Sequence, residues 1–244
     1  MQAVSLPPDR RAVDAKADAT PARLGETRER LVLAAEKLFA QNGIDAVSLR
    51  QINAAAGQKN ASAAHYHFGS KPALIAAVYD YRIGRINARR LALLAALDAS
   101  GRPPDLRALV EAVVHPMVEE IETAKGGKHY IRFVAQARGH PAHDLGKLTR
   151  SRHASAMQQF NDRAQALLPH VPPEVFAVRF GLMIVAMTDA LADRHRLLAS
   201  PVTRASIPMA LFVSILVDTL VAGLAAPVSV ATRSELDRTA RRRA

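Results

Sequence analysis

The chain has 244 residues, of which 49% are hydrophobic, and its 33 Lys and Arg outnumber 22 Asp and Glu to give a net charge of +11. The length suits a small domain joined to a larger one. The basic excess favours a polyanionic partner, either nucleic acid or an anionic membrane surface. The absence of cysteine excludes disulfides, thiolate metal sites and cysteine nucleophiles, and it fits a cytoplasmic protein.

The basic charge is unevenly distributed. Residues 25–90 carry ten basic and five acidic side chains, whereas residues 91–226 carry fourteen and twelve. Residues 227–244 carry five basic and two acidic side chains, and they are predicted to form a basic tail. Residues 1–24 mix Pro, Ala, Asp and Arg without periodicity or a secretory signal, which predicts a disordered arm.

Beyond residue 24, apolar residues recur every three or four positions, which predicts an all-helical chain. The first helix is expected from about Glu26 to Asn42. Gly43 then ends it, because glycine adopts a left-handed conformation at little steric cost.

The second helix has the clearest start in the sequence. Ser48 and Gln51 have the spacing of a capping box, in which each side chain bonds to the backbone of the other residue. Val47 and Ile52 occupy the positions of the hydrophobic contact that often accompanies such a box. The helix is short and is expected to end by Gly57.

A turn after Gly57 leads to a third short helix, expected over residues 61–67 with Asn60 as its cap. Ser70 and Pro72 then open a long fourth helix. Two short helices joined by a glycine-containing turn form a helix-turn-helix, whose second helix lies in the major groove of DNA.

Polar side chains around this unit are candidates for DNA contact. Asn60, Ser62 and His65 can bond to base edges, while Lys59 and Lys71 suit phosphates, which position a protein without reading sequence. Ser48 and Arg50 can anchor the start of the second helix to the DNA backbone. The candidates from residue chemistry are Ser48, Arg50, Lys59, Asn60, Ala61, Ser62, His65 and Lys71.

Several blocks within residues 28–83 match one family. They are LFAQNG at 38–43, VSLRQI at 47–52, AG at 56–57 and, most specifically, YHFGSK at 66–71 followed by Leu74. With these blocks the sequence resembles the DNA-binding domain of the TetR/AcrR transcriptional regulators.

The resemblance implies further roles. Tyr66 joins Lys71 as a phosphate contact, and residues 59–65 read bases. One residue more than in the commonest family pattern lies between Gly57 and Phe68, so the turn or the start of the third helix must absorb it. The implied core residues are Leu38, Phe39, Leu49, Ile52, Phe68 and Leu74.

The predicted organisation is a helix-turn-helix domain at residues 25–88 and a helical ligand-binding and dimerisation domain at residues 103–226. Pro116 is expected to kink the first helix of the second domain. The helices of this domain are expected near residues 105–124, 128–139, 142–168, 173–199 and 206–226.

The helices at 173–199 and 206–226 are the most apolar, and small residues recur along both. Two such helices from each subunit predict a four-helix interface in a homodimer, which suits a palindromic operator in double-stranded DNA. The family also implies a small ligand, and an apolar one is expected. The small residues are Gly181, Ala186, Ala190, Ala210, Ser214 and Gly223, and the candidate ligand residues are Met117, Phe133, Met157, Phe160 and Met183.

Histidines suggest a metal site, since His140 and His143 are close together with His129 and His153 nearby. Pro141 disrupts the helical spacing that two ligands need, so no metal is expected. No catalytic residue or cofactor is predicted either, because the sequence contains no nucleophile elbow, zinc-protease motif or phosphate-binding glycine loop.

The sequence therefore predicts a ligand-released repressor. Three alternatives remain: an enzyme that uses the histidine-rich segment, an architectural DNA-binding protein without a ligand, and a membrane-associated protein that uses residues 206–226. The last is disfavoured because Asp218 would lie near the middle of a lipid-facing span.

Overall fold

The computed structural model describes residues 21–103, 105–123, 126–138, 155–197 and 207–242. These residues form helices and contain no strand, which confirms the predicted all-α class. The described helices, in chain order, are α1 (Pro21–Asn42), α2 (Leu49–Ala55), α3 (Ala63–Phe68), α4 (Lys71–Ala99), α5 (Leu106–Thr123), α6 (Gly127–Arg138), α7 (Ser155–Ala166), α8 (Pro173–Ala192), α9 (Arg194–Leu197), α10 (Met209–Ala225) and α11 (Val230–Arg241).

Helix α1 begins at Pro21, five residues before the predicted start at Glu26. Proline fits the first turn of a helix, where its missing N–H has no intrahelical partner to lose. The predicted disordered arm therefore overlaps the helix, and its residues 1–20 lie outside the described residues. At the other end of α1, Gly43 has a φ of 85° and donates its N–H to the carbonyl of Phe39, as predicted.

The C-terminal helices follow the predicted order with several differences at their ends. Residues 142–154 of one predicted helix lie outside the described residues, and α7 covers the remainder. The helix predicted at 173–199 divides at Asp193 into α8 and the single turn of α9. Helix α5 continues through Pro116, and whether this proline bends the axis stays a prediction.

The predicted basic tail contains a helix, α11. The Ser229 hydroxyl accepts a hydrogen bond from the backbone N–H of Thr232 at 3.2 Å, which caps the start of α11. None of the residues of α11 is buried, and Val230 is 82% exposed. The start of the tail packs on the rest of the protein, because Val228 is buried and the Pro227 carbonyl accepts a hydrogen bond from Arg179 at 3.4 Å, whereas α11 itself is exposed.

One apolar core runs through both domains. The ring of Phe39 in α1 stacks on that of Phe133 in α6, with centroids 5.9 Å apart, and both side chains are fully buried. Tyr130 is also buried in α6, and its hydroxyl donates to the backbone carbonyl of Tyr79 in α4. Helix α6 thus packs the C-terminal domain against both α1 and α4.

A buried ionic cluster lies at the same junction. Arg82 of α4 forms a two-pronged pair with Glu36 of α1, at 2.6 and 2.9 Å, and a second pair with Glu120 of α5 at 2.7 Å. Arg85, which is largely exposed, also contacts Glu120 at 2.9 Å. Burial raises the pKa of Glu36 above its ordinary value, although Arg82 opposes that rise. The cluster fixes three helices from two domains to one another.

The backbone also approaches this cluster closely at Gly126. Its φ of 85° is unfavourable for other residues, and a Cβ there would lie 3.2 Å from both the Arg82 and the Glu36 side chains. Glycine therefore allows the backbone at position 126 to approach the buried charges closely.

Helices α8 and α10 pack side by side in opposite directions. Arg194, just beyond α8, donates to the carbonyl of Ile207 before α10, while Arg179 near the start of α8 donates to the carbonyl of Leu224 at 3.0 Å. The end of this pair that holds Arg194 lies beside α1, because Arg194 and Gln41 line the same cleft. The other end, where α11 begins, therefore points away from the end of α1.

One described helix, α8, is long and apolar enough to cross a membrane by length and composition. Helix α10 passes the same test only together with α11, from which it is bent by 51°. Core helices of soluble proteins also pass this test, so passing it is weak evidence for a membrane span. Asp218, which argued against a membrane span for residues 206–226, is paired with Arg107 of α5.

Candidate nucleic-acid interface

The predicted capping box is present at the start of α2. The backbone N–H of Ser48 donates to Oε1 of Gln51 at 2.8 Å, and the N–H of Gln51 donates to Oγ of Ser48 at 3.3 Å. Val47 and Ile52 on either side are buried. The helix therefore begins where the local sequence predicts.

A buried asparagine that the sequence reasoning missed connects α2 to α3. Asn53 is 2% exposed; its amide donates to the carbonyl of Ala61, and its Oδ1 accepts from the N–H of Ala64 at 2.8 Å. Residues 52, 53 and 56 share the inward face of α2, so a polar residue at 53 was the available signal.

Helix α3 begins at Ala63, two residues later than predicted. Asn60 was expected to cap the helix; instead its Oδ1 accepts from the backbone N–H of Ser62 at 2.8 Å, closing a turn. Because Asn53 holds the carbonyl of Ala61 outside the helix, residues 57–62 form the turn and absorb the additional residue.

The end of α3 and the start of α4 follow the predicted signals. Gly69 has a φ of 72° and donates its N–H to the carbonyl of His65 at 2.7 Å. The Ser70 hydroxyl then caps α4 by accepting from the N–H of Ala73 at 3.3 Å. Nζ of Lys71 donates to the carbonyl of Asp45 at 3.3 Å, which joins α4 to the loop before α2.

The candidate DNA-contacting residues are accessible. Lys71 is half-buried, and the other eight are exposed, with Tyr66 at 73%. Residues 46–79 include three basic side chains and no acidic one, so this segment has a net positive charge, and Asp45 and Asp80 flank it. The eight exposed residues are Ser48, Arg50, Lys59, Asn60, Ala61, Ser62, His65 and Tyr66.

His67 has a structural position rather than an exposed one. Its ring lies 5.2 Å from the ring of Tyr66 and 6.3 Å from that of Phe68, and the guanidinium of Arg28 lies 5.2 Å from the Phe68 ring. Burial, and then the charge of Arg28, lower the pKa of His67, which favours its neutral form. His67 therefore packs against its aromatic neighbours.

The five candidate ligand residues lie in or against the core, but they do not form one site among the described cavities. Phe133 stacks on Phe39, and Phe160 stacks on Phe180 at 5.8 Å. Met117 and Met183 are buried, and Met157 is half-buried. The cavities lined by described residues have other linings, so the role of these five residues stays a prediction.

A cavity of about 820 Å³ lies instead where the end of α4 meets the start of α5 and the end of α7. Arg163 crosses its wall and pairs with Asp98 at 2.9 Å. Apolar residues make up much of the lining, namely Leu97, Pro103, Ala108, Leu109, Ala166 and Leu167.

Most of the histidines that suggested a metal site fall outside the part of the chain that the structure describes. His140, His143 and His153 lie outside the described residues. His129 lies in α6, and the described residues hold no group of three or more side chains suited to a metal.

Comparison with known proteins agrees with this geometry. Residues 31–78 match the profile described as bacterial regulatory proteins, tetR family, and residues 111–223 match the tetracyclin repressor-like C-terminal domain. The chain belongs to the TetR family. Membership implies a DNA-binding transcriptional regulator rather than an enzyme. No curated protein matches the sequence.

Solved structures of TetR-family proteins share the fold. NalD, the secondary repressor of the MexAB-OprM multidrug efflux pump in Pseudomonas aeruginosa, aligns with a TM-score of 0.51 at 17% identity, over 82% of this chain and 95% of its own. A protein from Mesorhizobium loti described as a TetR-family regulator aligns with a TM-score of 0.50 at 14% identity, over 83% and 97%. At these identities the likeness extends to the fold alone.

Proposed function

We propose that this TetR-family protein is a cytoplasmic homodimeric repressor that binds a palindromic operator and is released by a small apolar ligand. The observation that carries the proposal is the exposed polar edge formed by the turn and α3, which Asn53 holds rigidly against α2. A preorganised edge of this kind can enter a major groove without first losing conformational entropy.

The chemistry of the edge separates two kinds of contact. Asn60, Ser62 and His65 lie at the turn and the start of α3, the part of a recognition helix that meets base edges. Tyr66 and Lys71, with Ser48, Arg50 and Lys59, are assigned to phosphates, which fix the register of the helix.

The C-terminal helices support dimerisation. Val178 and Leu182 of α8 are 64% and 60% exposed, and Leu211 and Ile215 of α10 are 50% and 48% exposed. Each pair is four residues apart, so the side chains share one face of their helix. Small exposed positions such as Gly181 and Ser214 allow a partner to approach closely. A second copy that presents the same two faces would bury these side chains in a four-helix interface.

Helix α4 is suited to transmit release. It contains 29 residues, about 43 Å of helix, with its start beside α3 and its end lining the 820 Å³ cavity. A ligand there displaces the protein from DNA only if it binds the geometry with mismatched recognition helices more tightly.

The first test is selection of genomic fragments with the purified protein, followed by gel-shift assays on the recovered DNA. We expect a palindromic site bound as one dimer. Recovery of unrelated fragments, bound weakly and with strong salt dependence, would instead support an architectural DNA-binding protein.

Three variants then test the division of roles. Tyr66→Phe is expected to lower the affinity for every DNA sequence by about 3- to 10-fold, the range for one hydrogen bond. Lys71→Ala is expected to reduce the slope of log affinity against log salt concentration by about one. Ser62→Ala is expected to change base preference. It should leave α3 intact, since the Ser62 side chain makes no capping bond. Arg241→Gln, on exposed α11, is the control for loss of one positive charge. Unchanged salt slope in Lys71→Ala would rule out its phosphate contact.

A further inference from the structure

A cleft of about 490 Å³ lies at the domain junction, bounded by the end of α1, helix α6, the end of α8 and the start of α10. Four of its lining residues are basic or can become so: Lys128, His129, Arg132 and Arg194. No carboxylate is among its described lining residues. The cleft therefore concentrates positive charge in a concave surface, which strengthens its attraction for anions.

The floor of the cleft is apolar. Ile131 and Leu191 are 1% and 6% exposed, and Ile121 and Met209 are half-buried beside them. An apolar floor below a cationic rim matches a molecule with a hydrocarbon body and one anionic end. The volume lies within the range that small-molecule sites in proteins occupy.

No described carboxylate pairs with the arginines and the lysine of the rim. Arg194 has only neutral partners in the described structure, the carbonyl of Ile207 and the ring of Phe212 at 5.4 Å, and its buried Nε has no hydrogen-bond partner. No ion pair joins Lys128 or Arg132 to a described carboxylate.

The pKa of His129 is also affected by the positive charge of the cleft. Burial lowers its pKa, and the charges of Lys128 and Arg132 lower it further. An anion in the cleft would offset this positive potential.

We propose that this cleft binds a small aliphatic carboxylate, with its hydrocarbon chain on Ile131 and Leu191 and its carboxylate against Lys128 and Arg132. The site is separate from the cavity at the far end of α4, and its ligand differs from a purely apolar one.

Occupancy of the cleft has a consequence for DNA binding, and this step rests on the proposed function. Gln41 belongs to the helix-turn-helix domain, whereas Leu191 and Met209 belong to the helices proposed to form the dimer interface. A ligand in a cleft lined by both parts stabilises one arrangement of the two domains and so changes operator affinity.

Isothermal titration of the full-length protein with octanoate, and with 1-octanol as its neutral counterpart, tests the site. We expect one octanoate per subunit, bound about tenfold more tightly than 1-octanol, because the charged end adds hydrogen bonds to cations. The double variant Lys128→Gln/Arg132→Gln changes only exposed side chains. It should lower the affinity for octanoate about tenfold. Arg241→Gln should leave its affinity unchanged. Absence of saturable binding, equal affinity for 1-octanol, or an unaffected double variant would overturn the proposal.

Gel shifts separate this inference from the proposed function. Octanoate should change operator affinity for the wild-type protein and have little effect on the double variant. If the double variant loses operator affinity while octanoate binds neither protein, the cleft contacts DNA phosphates and the inference is wrong. If no operator is recovered but octanoate binding depends on Lys128 and Arg132, the repressor proposal fails and the carboxylate site stands.

Discussion

The helix-turn-helix and the domain junction are both organised by polar side chains, but over very different distances along the chain. In the capping box, Ser48 and Gln51 are three residues apart. At the junction, Arg82 joins Glu36 and Glu120, which lie 46 and 38 residues away. The first unit is specified by neighbouring residues and can form early, whereas the second exists only when three helices have assembled.

The two regions also differ in the energetic role of their bonds. An exposed cap offers its groups to water when a partner is lost, so the cost of removal is modest. A buried ion pair that loses one partner leaves an uncompensated charge in a medium of low polarity, which is far more costly.

The largest effect is therefore expected for Arg82→Met. This variant leaves Glu36 and Glu120 buried without their main partner and should lower the free energy of unfolding by about 3–5 kcal/mol. Urea unfolding followed by circular dichroism measures the change. Arg85→Met is the matched control, because Arg85 is 60% exposed and its pair should contribute about 1 kcal/mol or less. Equal losses in the two variants would show that burial does not determine the strength of the cluster.

The cost of Arg82→Met should also depend on pH. A buried carboxyl whose folded pKa lies above its unfolded pKa binds more protons in the native state, so its stabilising contribution is present at low pH and lost as pH rises. The pKa of Glu36 is raised already, and removal of Arg82 raises it further. Unfolding at pH 5 and pH 8 should therefore show the larger destabilisation at pH 8. Adding Glu36→Gln should reduce this difference.

A smaller effect is expected for Asn53→Leu. Leucine fits the buried position but leaves the N–H of Ala64 and the carbonyl of Ala61 without their partner, at a cost of about 1–3 kcal/mol. Hydrogen exchange at the Ala64 amide should accelerate, and operator affinity should fall, because α3 is no longer fixed to α2. Gln58→Ala, which removes a bond within the same turn, is the control. Unchanged exchange at Ala64 would argue against the bridging role.

The cap of α2 should contribute less. Ser48→Ala is expected to lower the free energy of unfolding by about 1 kcal/mol, and Ser48→Gly by only a few tenths. Thermal unfolding of the two variants measures the difference. An alanine variant as stable as the wild-type protein would mean that the capping bond contributes little.

The smallest effect is expected for Arg89→Gln. Arg89 and Glu119 join α4 to α5, as Arg82 and Glu120 do, but their side chains are 51% and 48% exposed. Loss of this pair should change stability by about 0–1 kcal/mol, and 0.5 M salt should reduce the change further. A loss as large as that of Arg82→Met would contradict the contrast drawn between buried and exposed pairs.

This contrast explains which features the sequence could predict. The start of α2 follows from Ser48 and Gln51, and the start of α4 from Ser70, because each rule involves residues within one helical turn. The predicted start of α3 was wrong by two residues, because the start depends on the bonds of Asn53, which lies on another helix. The ionic cluster could not be predicted, since nothing near Arg82 in the sequence indicates which carboxylates it meets.

The cavities show the same limitation in another form. Met117 and Phe160 have the composition of a pocket lining and are buried, but composition alone does not say where a cavity forms. The 820 Å³ cavity forms where the ends of α4 and α7 meet the start of α5. Its position depends on where those helices end, which single residues specify least well.

The direction of the α8 and α10 pair has a practical consequence for surface-based assays. Arg179, which contacts the end of α10, lies about 20 Å along α8 from Ala192, and α11 continues beyond that end. Because the sequence contains no cysteine, Arg241→Cys would provide a single thiol for coupling to a biotinylated maleimide. Protein immobilised through this position on a sensor chip would present its recognition helices to flowing DNA rather than to the chip.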